Sequence, residues 1–529
     1  MTPTSSQSPA RRLDLLIGAG VFVLVLGLYV ATLAPGLVFG DPAEYTFVPH
    51  IWGISHPPGY ALQTVLGGLW QRLIPFGSIA FRANLLSAFC GAGIAALAYG
   101  SVRALTPESI PDIRRYLPAL LAAFSAATAT DIWQHSIHAN SHITTALLAS
   151  LSVFLLLHWQ HAGGETRGPA ARWLYAFCAV AGLSVTHHPL LAFSFPAYIA
   201  FILSVRPGIL LGWLKRRREA GVPLIEWGTL LRMVAFGLLG LSVWLYLPLR
   251  ASLPVPLRFG PENTNTLNGF LDLVLARGLK VNLFHFGLAD QPDRLTVFWS
   301  LLQLQASLPV IAAMLAGLAW LWRRQWRAGL LFTLLLAVNL AFILNTIQDV
   351  MAYLMTPFSA LMVLAGVGLI AFLEWVRLPG EFDNRAMQTV AALIMLVVPL
   401  SRVALSGEFI SLARYDEADR WVEEVHTRFE GKGEGAILLA HWEHLTPLWY
   451  AEWVEKRPLA PEDVRLVFVA ANSDTPWLDN VQAVIDQGPV YVSGCQPELV
   501  SAGYRLRPTT GRLYRVLPAP ADEPVVTGV

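Results

Sequence analysis

The stretch FGDPAEYTFVPHIWGISHPPGY, Phe39 to Tyr60, follows a membrane-length apolar run near residues 13–34. It gathers Asp41, Glu44, His50 and His56 around a Pro57-Pro58-Gly59 turn, and no Lys or Arg follows the acids until Arg72. An acid pair beside hydrocarbon is costly unless it faces a polar cavity. Where this stretch lies relative to a bilayer therefore decides how the rest of the chain is arranged.

The chain has 529 residues, 55% hydrophobic and only 14% charged, with a mean hydropathy of +0.51. This departs from soluble globular usage and points to a polytopic α-helical membrane protein. Runs that can cross roughly 30 Å of hydrocarbon, about 20 residues each, lie near 13–34, 79–102, 116–130, 140–158, 173–188, 189–205, 232–249, 297–322, 328–346, 353–375 and 387–405, which predicts about eleven spans. Arg11/Arg12, Arg103/Arg114/Arg115, Arg167/Arg172, Arg206 with Lys215 to Arg218, Arg323/Arg324/Arg327 and Arg377/Arg385 fall in alternate connections. By the positive-inside rule the N-terminus is expected in the cytoplasm and the Asp41 loop outside. The first run is long and has no clear small-residue cleavage site, so it reads as a retained signal anchor in the cell membrane.

An odd number of spans leaves the C-terminal tail outside as well. From Ser406 the chain carries 11 Lys+Arg against 19 Asp+Glu, a charge of −8, while the preceding part carries +9. The expected division is a transmembrane domain over 1–405 and a soluble extracytoplasmic α/β domain over 406–529. An amphipathic helix from Ala418 to Phe429 and strand-like runs GAILLAH (435), VRLVFVA (464) and GPVYVS (488) support that reading. The tail lacks a Gly-rich phosphate loop, which leaves nucleotide binding without support. No nucleic-acid partner is expected. Cys90 and Cys178 fall in predicted spans and Cys495 stands alone, so no disulfide framework is expected.

GDPAEY has a structural reading: Asp41 as N-cap, Pro42 as the first helical residue and Glu44 three positions after the cap. A helix start at the membrane surface would also hold Asp41 rigidly as a general base for an acceptor hydroxyl. His56, fixed by the prolines after it, is the better polar partner; His50 reads as locally satisfied. In DIWQHSIHANSHIT, Asp131 to Thr144, His135, His138 and His142 are spaced i, i+3, i+7, one helical face. That face either binds a metal or lines a polar groove, and the absence of an H-E-x-x-H pattern favours the groove.

The third external segment runs from Arg250 to about Phe298 and collects Arg250, Arg258, Arg277 and Lys280 against the usual charge bias. These residues either snorkel to headgroups or clamp a phosphate, which Arg recognises by charge and planar geometry. IQDVMAYLMTP, Ile347 to Pro357, adds Asp349 and Tyr353 at the last short external turn.

With these motifs in place, the chain resembles the transmembrane protein O-mannosyltransferase family of the C-type glycosyltransferase superfamily. The resemblance rests on Asp41, Glu44 and the run His56-Pro57-Pro58-Gly59, then Arg82, Asn84, Leu85, Leu86 and Ser87 in FRANLLSAF. GLSVTHHPLLAF is similar to the family's Gly-Leu-Ser-x-x-x-His helix, with His187 as counterpart. YLPLRASLPVPLRFGPENTNTLNGF and QDVMAYLMTPF are similar to its Pro-x-Arg-Ala and Asp-x-x-x-Tyr-x-x-Pro segments. Where many relatives read Phe-Trp-x-Gln-x-x-Glu-x-Glu-x-Tyr, this chain places His138 and Asn140 at the acids and His142 at the tyrosine.

The resemblance implies the C-type glycosyltransferase fold and transfer of mannose or another hexose from a polyprenyl-phosphate donor to an extracytoplasmic hydroxyl. The acceptor would be a protein Ser/Thr, a lipid or a glycan. Asp41 would act as base and Glu44 would orient Asp41 or the acceptor. His56, Arg82, His138, His142, His187, Arg250, Arg258, Asp349 and Tyr353 would bind substrate. No metal ligand is assigned, and a need for a divalent metal stays open. The alternative is a transporter or flippase of lipid-linked sugars, which predicts ionisable residues deep in several spans; here they sit mostly at external ends.

Overall fold

The computed structural model describes residues 9–216, 224–254, 258–346, 350–375, 384–459, 463–470 and 473–518. The chain divides into two compact units. One comprises residues 1–33, 54–65 and 85–411, the other 34–53, 66–84 and 412–529.

In the first unit, most of the predicted apolar runs fold as helices because uninterrupted helix is the form that satisfies every backbone group in lipid. Among the described residues seven helices are long and apolar enough to cross a membrane: Arg12–Ala31, Ile79–Leu105, Ser141–His161, Trp227–Ala251, Trp326–Ile343, Met351–Trp375 and Asn384–Ile410. Leu288–Gln305 and Leu308–Arg324 form a pair bent by 108°. The runs expected at 116–130, 173–188 and 189–205 are shorter helices, Leu117–Thr128, Ala171–His187 and Phe195–Val205.

Burial sorts these helices. The apolar window of Met351–Trp375 is 89% buried, which makes it the central helix of the unit. The windows of Arg12–Ala31, Trp227–Ala251 and Asn384–Ile410 are 17%, 11% and 17% buried, so apolar side chains point outward on helices that are greasy all round, as lipid-facing helices require. Close packing comes from small residues. Gly317 faces the carbonyl of Leu364 and Gly368 that of Ala313, while Gly182 and Gly240 bring Ala171–His187 against Trp227–Leu241. At one end Arg103 Nε donates to Asp14 Oδ1 at 2.6 Å, a charge pair that offsets the cost of an acid within an apolar helix.

The second unit is an α/β fold around a five-stranded sheet. The strands are β1 (Ala436–Ala440), β2 (Val464–Phe468), β3 (Val490–Ser493), β4 (Arg505–Thr510) and β5 (Leu513–Leu517), in the order β2-β1-β3-β5-β4. β1 runs parallel to β2 and β3; β5 runs antiparallel to β3 and β4. Every residue of β1 is buried, as expected of a central strand covered on both faces. Ile437, Leu439, Trp477, Val481, Val490, Val492 and Val516 form the core. The three predicted strands are β1, β2 and β3. The β4–β5 hairpin turns at Gly511, φ +51°, and was not expected.

This unit draws on both ends of the sequence. Its C-terminal part begins at Leu412, and it takes in 34–53 and 66–84, where the sequence alone placed a boundary at 405/406. The helix Asp41–Ile51 packs on Trp442–Trp453. Gly40 N donates to Glu443 O at 3.2 Å and Thr446 Oγ1 to Gly40 O at 2.9 Å. Leu37 N donates to Asp419 Oδ2 at 3.2 Å.

Candidate active site

In the second unit the acid motif opens the helix Asp41–Ile51, but its cap is not Asp41. Gly40 is the N-cap, at φ +78°, with no side-chain cap bond, and Asp41 and Pro42 open the first turn. The left-handed φ favours glycine, so the backbone, not the carboxylate, sets the helix entry. Asp41 Oδ1 instead accepts from Trp442 Nε1 at 2.7 Å. Glu44, one turn on, is fully buried, and both acids sit at the positive end of the helix dipole. Trp442 carried no signal in the sequence beyond a strand followed by HWEHLTPLWY.

Backbone staples fix this helix. Arg82 donates to Gln71 O at 2.8 Å and to Phe76 O and Gly77 O at 3.1 Å, tying the 71–77 turn. Asn84 Nδ2 holds Ala34 O and Gly36 O, both at 2.9 Å, just before the acids. Arg72 reaches His50 O at 2.9 Å and covers the Trp52 ring at 4.7 Å. Burial, with Arg72, Lys456 and Arg82 adding to it, holds His50 below the usual imidazole range. His444 lies edge-on between Phe39 and Trp421, with ring centroids 5.1 Å away in each case. Burial, with Arg512 nearby, lowers its pKa too.

In the first unit the His56-Pro57-Pro58-Gly59 turn closes through Gly59 N to His56 O at 2.7 Å. Gly59 has φ +87°, and a Cβ there would stand 3.0 Å from Leu273 and 3.2 Å from Leu247. The turn is thereby pressed onto the helices Tyr246–Ala251 and Leu267–Val274, where Ile54, Ala61, Leu247, Ala251 and Leu273 form a small core. Ile54 bridges Arg258 in parallel, and Phe259 N donates to Ile54 O at 3.1 Å. The Arg258 guanidinium bonds Ala251 O at 3.3 Å and also Glu262 O. Arg250 donates to Pro254 O at 2.8 Å, and Arg277 pairs with Asp272 at 2.9 Å.

From this turn a chain of rings runs inward. Tyr60 meets His56 at 5.3 Å, His187 at 5.9 Å and His188 at 5.6 Å. His188 meets His142 at 6.0 Å and Tyr353 at 5.8 Å, and His142 meets Tyr353 at 5.1 Å. The structure thus brings His56, His142, His187 and Tyr353 together and adds His188 and Tyr60, which the sequence reading did not single out. Asp349 lies outside the described residues.

The single helical face expected for His135, His138 and His142 does not form. The helix Thr130–Ser136 ends before His138, and Asn140 caps a new one, Ser141–His161, accepting from His142 N at 2.8 Å and Ile143 N at 3.3 Å. Asn140 N is itself held by Ser87 Oγ at 3.0 Å. His135 and His138 form a separate pair, centroids 5.7 Å apart. His138 is buried, and desolvation with His135 beside it holds its pKa down to about 3.

Residues 41–208 match the family model of the protein O-mannosyl-transferase TMEM260 N-terminal domain. The chain is 30% identical over 270 residues to protein O-mannosyl-transferase TMEM260 of Mus musculus, covering 51% of this chain and 35% of that protein. It is 24% identical over 263 residues to protein O-mannosyl-transferase tmem260 of Dictyostelium discoideum, covering 47% of this chain and 29% of that protein. The chain thus spans about a third of the length of these relatives. Among solved structures it is similar to ArnT from Cupriavidus metallidurans bound to undecaprenyl phosphate, with a TM-score of 0.57 at 13% identity over 97% of this chain and 98% of that one. The apo form of ArnT gives 0.55 at 14% identity. The chain thus shares the fold of ArnT.

Proposed function

We propose that this chain is an integral-membrane glycosyltransferase that moves mannose or another hexose from a polyprenyl phosphate to an extracytoplasmic hydroxyl, with protein Ser/Thr as the favoured acceptor. The observation that carries the reading is the Asp41 carboxylate, held in a helix's first turn by the Trp442 indole at 2.7 Å, at the start of the segment that matches O-mannosyl-transferases. A general base must be positioned before its basicity matters, and this one is fixed from both its backbone and its side chain.

In the reaction the acceptor oxygen attacks the anomeric carbon while its proton passes to Asp41. The anomeric C–O bond breaks, and its electrons leave with the polyprenyl phosphate. One direct displacement inverts the anomeric carbon and needs one carboxylate base; Glu44 orients Asp41 or the acceptor. Arg258 and Arg250 stabilise the charge that develops on the leaving phosphate. Arg82 acts through the backbone it staples, His56 and the inner rings contact the sugar, and His138 shapes the wall beside them. The N-terminus lies in the cytoplasm, and residues 406–529 lie outside, where they present the acceptor.

The test is transfer of radiolabelled mannose from polyprenyl-phosphate mannose to membrane and secreted proteins. Wild type should transfer, and a folded Asp41→Asn variant should lose about 10²–10⁴-fold. Equal transfer by both proteins would remove Asp41 from the chemistry.

A further inference from the structure

His187 and His188 are adjacent, buried, and locked by the backbone in complementary hydrogen-bonding states. His187 Nε2 lies 2.8 Å from Ser141 O. A carbonyl only accepts, so Nε2 carries the proton. In the neutral ring Nδ1 is then a lone-pair acceptor, and this buried atom has no hydrogen-bond partner among the described residues. His188 Nδ1 accepts from Leu190 N at 3.2 Å. Its proton therefore sits on Nε2, which becomes a donor. Successive residues thus present one acceptor and one donor, and both rings lie edge-on to Tyr60.

The surroundings narrow the ligand. His142, beside His188, also has a buried Nδ1 with no partner among the described residues. The rings around the pair are Tyr60, His142 and Tyr353, which bring aromatic surface and polar atoms. A sugar hydroxyl that enters such surroundings must replace the hydrogen bonds it made to water. A hydroxyl loses nothing: its proton can go to an acceptor while its oxygen takes a donor. Residues 54–60 connect these rings to Arg258 through the Ile54 bridge and the Tyr60 ring.

We propose that His187 and His188 form a hydroxyl-reading pair for the transferred sugar, with His187 Nδ1 accepting from one sugar hydroxyl and His188 Nε2 donating to it. His142 completes the pocket against a neighbouring hydroxyl. This rests on the lipid-linked donor reading above and adds to it a specificity-determining residue, His188.

The experiment uses the full chain in nanodiscs and competes polyprenyl-phosphate mannose, and its 2-, 3-, 4- and 6-deoxy analogues, against radiolabelled polyprenyl phosphate. Wild type should bind one deoxy analogue about tenfold more weakly than the parent, the effect of one neutral hydrogen bond to a buried partner. His188→Asn keeps an acceptor for Leu190 N but cannot reach where Nε2 stood. It should lower affinity for the parent about tenfold and leave that one analogue unchanged. His188→Gln, whose amide reaches further, should restore discrimination. If His188→Asn weakens every competitor equally, or leaves all ratios at the wild-type value, the pair does not read a hydroxyl. If wild type binds polyprenyl phosphate but distinguishes none of the sugars, the pair falls and the donor reading stands. If it does not bind polyprenyl phosphate, both fall.

Discussion

Placing a methyl at Gly240 should separate two helices and disable the site at their ends. A Cβ on Gly240 would stand 2.8 Å from Leu183 N and closer still to Ala179 O; one on Gly182 would stand 2.8 Å from Leu241 N and closer still to Gly237 O. Even attractive carbon–oxygen contacts stop near 3.3 Å, so Gly240→Ala must push the helices apart by roughly 1 Å. Both obstacles are backbone and cannot rotate aside. The cost should therefore reach the upper end of the overpacking range, about 3 kcal/mol. The helix Ala171–His187 ends in His187, and Trp227–Leu241 leads into Tyr246–Ala251 with Arg250 in its last turn. A 1 Å misplacement of such groups can cost about 10²-fold in rate. Thermal inactivation in detergent and label transfer should both fall for Gly240→Ala and for Gly182→Ala. The double variant should cost little more than either single one, because the helices have already parted, a coupling of about 2 kcal/mol. Gly237→Ala is the control on the same helix, since its Cβ would meet Cys178 O at an ordinary 3.8 Å. If Gly240→Ala behaves like Gly237→Ala, close glycine packing does not position these helices.

Other substitutions test single contacts. Trp442→Phe keeps an aromatic ring against Trp449 and Phe468 but removes the donor to Asp41. A hydrogen bond to a charged group is worth about 1.5–3 kcal/mol, so kcat for transfer should drop roughly tenfold or more while KM for the lipid donor holds; an unchanged kcat would show that the indole does not orient the base. Stability should also fall in acid through His138. Its folded pKa of about 3 lies below the ordinary 6.5, so the unfolded chain binds the extra proton between these values, and stability is fully present above pH 6.5 and declines below it. Moving from pH 7.5 to 5.0 should cost about 2 kcal/mol through this residue, at about 1.4 kcal/mol per unit below 6.5. Thermal inactivation of His138→Gln should be flatter over that range, and an identical slope would remove His138 as the source.

Much of the fold was legible because its signals are local. Apolar runs of membrane length declare helices wherever they occur, and AILLA, VRLVF and VYVS declare strands by short β-rich stretches bounded by turns. Other features depend on what a segment meets. The left-handed backbone at Gly40 takes the cap from Asp41, because Gly40 is bonded on both sides to the helix Trp442–Trp453, some 400 positions away in the chain. No periodicity in 34–53 announces that partnership. The histidine face failed for a reason that was visible in the residues: Asn140 followed by Ser141 is a helix-start signal, and it breaks the spacing that would have aligned His135 with His142.

The motif Arg82-Ala83-Asn84-Leu85-Leu86-Ser87 shows why a legible motif does not announce its role. Arg82 spends its guanidinium on the carbonyls of Gln71, Phe76 and Gly77, and Asn84 spends its amide on those of Ala34 and Gly36. Ser87 accepts from Asn140 N and so holds the cap that starts the helix carrying His142. Each polar side chain in this run answers a backbone group, and such groups are costly to bury alone. An arginine already shared among three carbonyls could take a phosphate only by releasing the turn it ties. Phosphate recognition therefore falls more naturally to Arg250, in the helix Tyr246–Ala251 against which the Gly59 turn is pressed, and to Arg258, bridged to Ile54. Replacing Arg82 with Lys would keep a charge but lose the planar fork that spans the turn. The loss should then appear as instability of the 71–77 turn, not as weaker binding of polyprenyl phosphate per folded molecule.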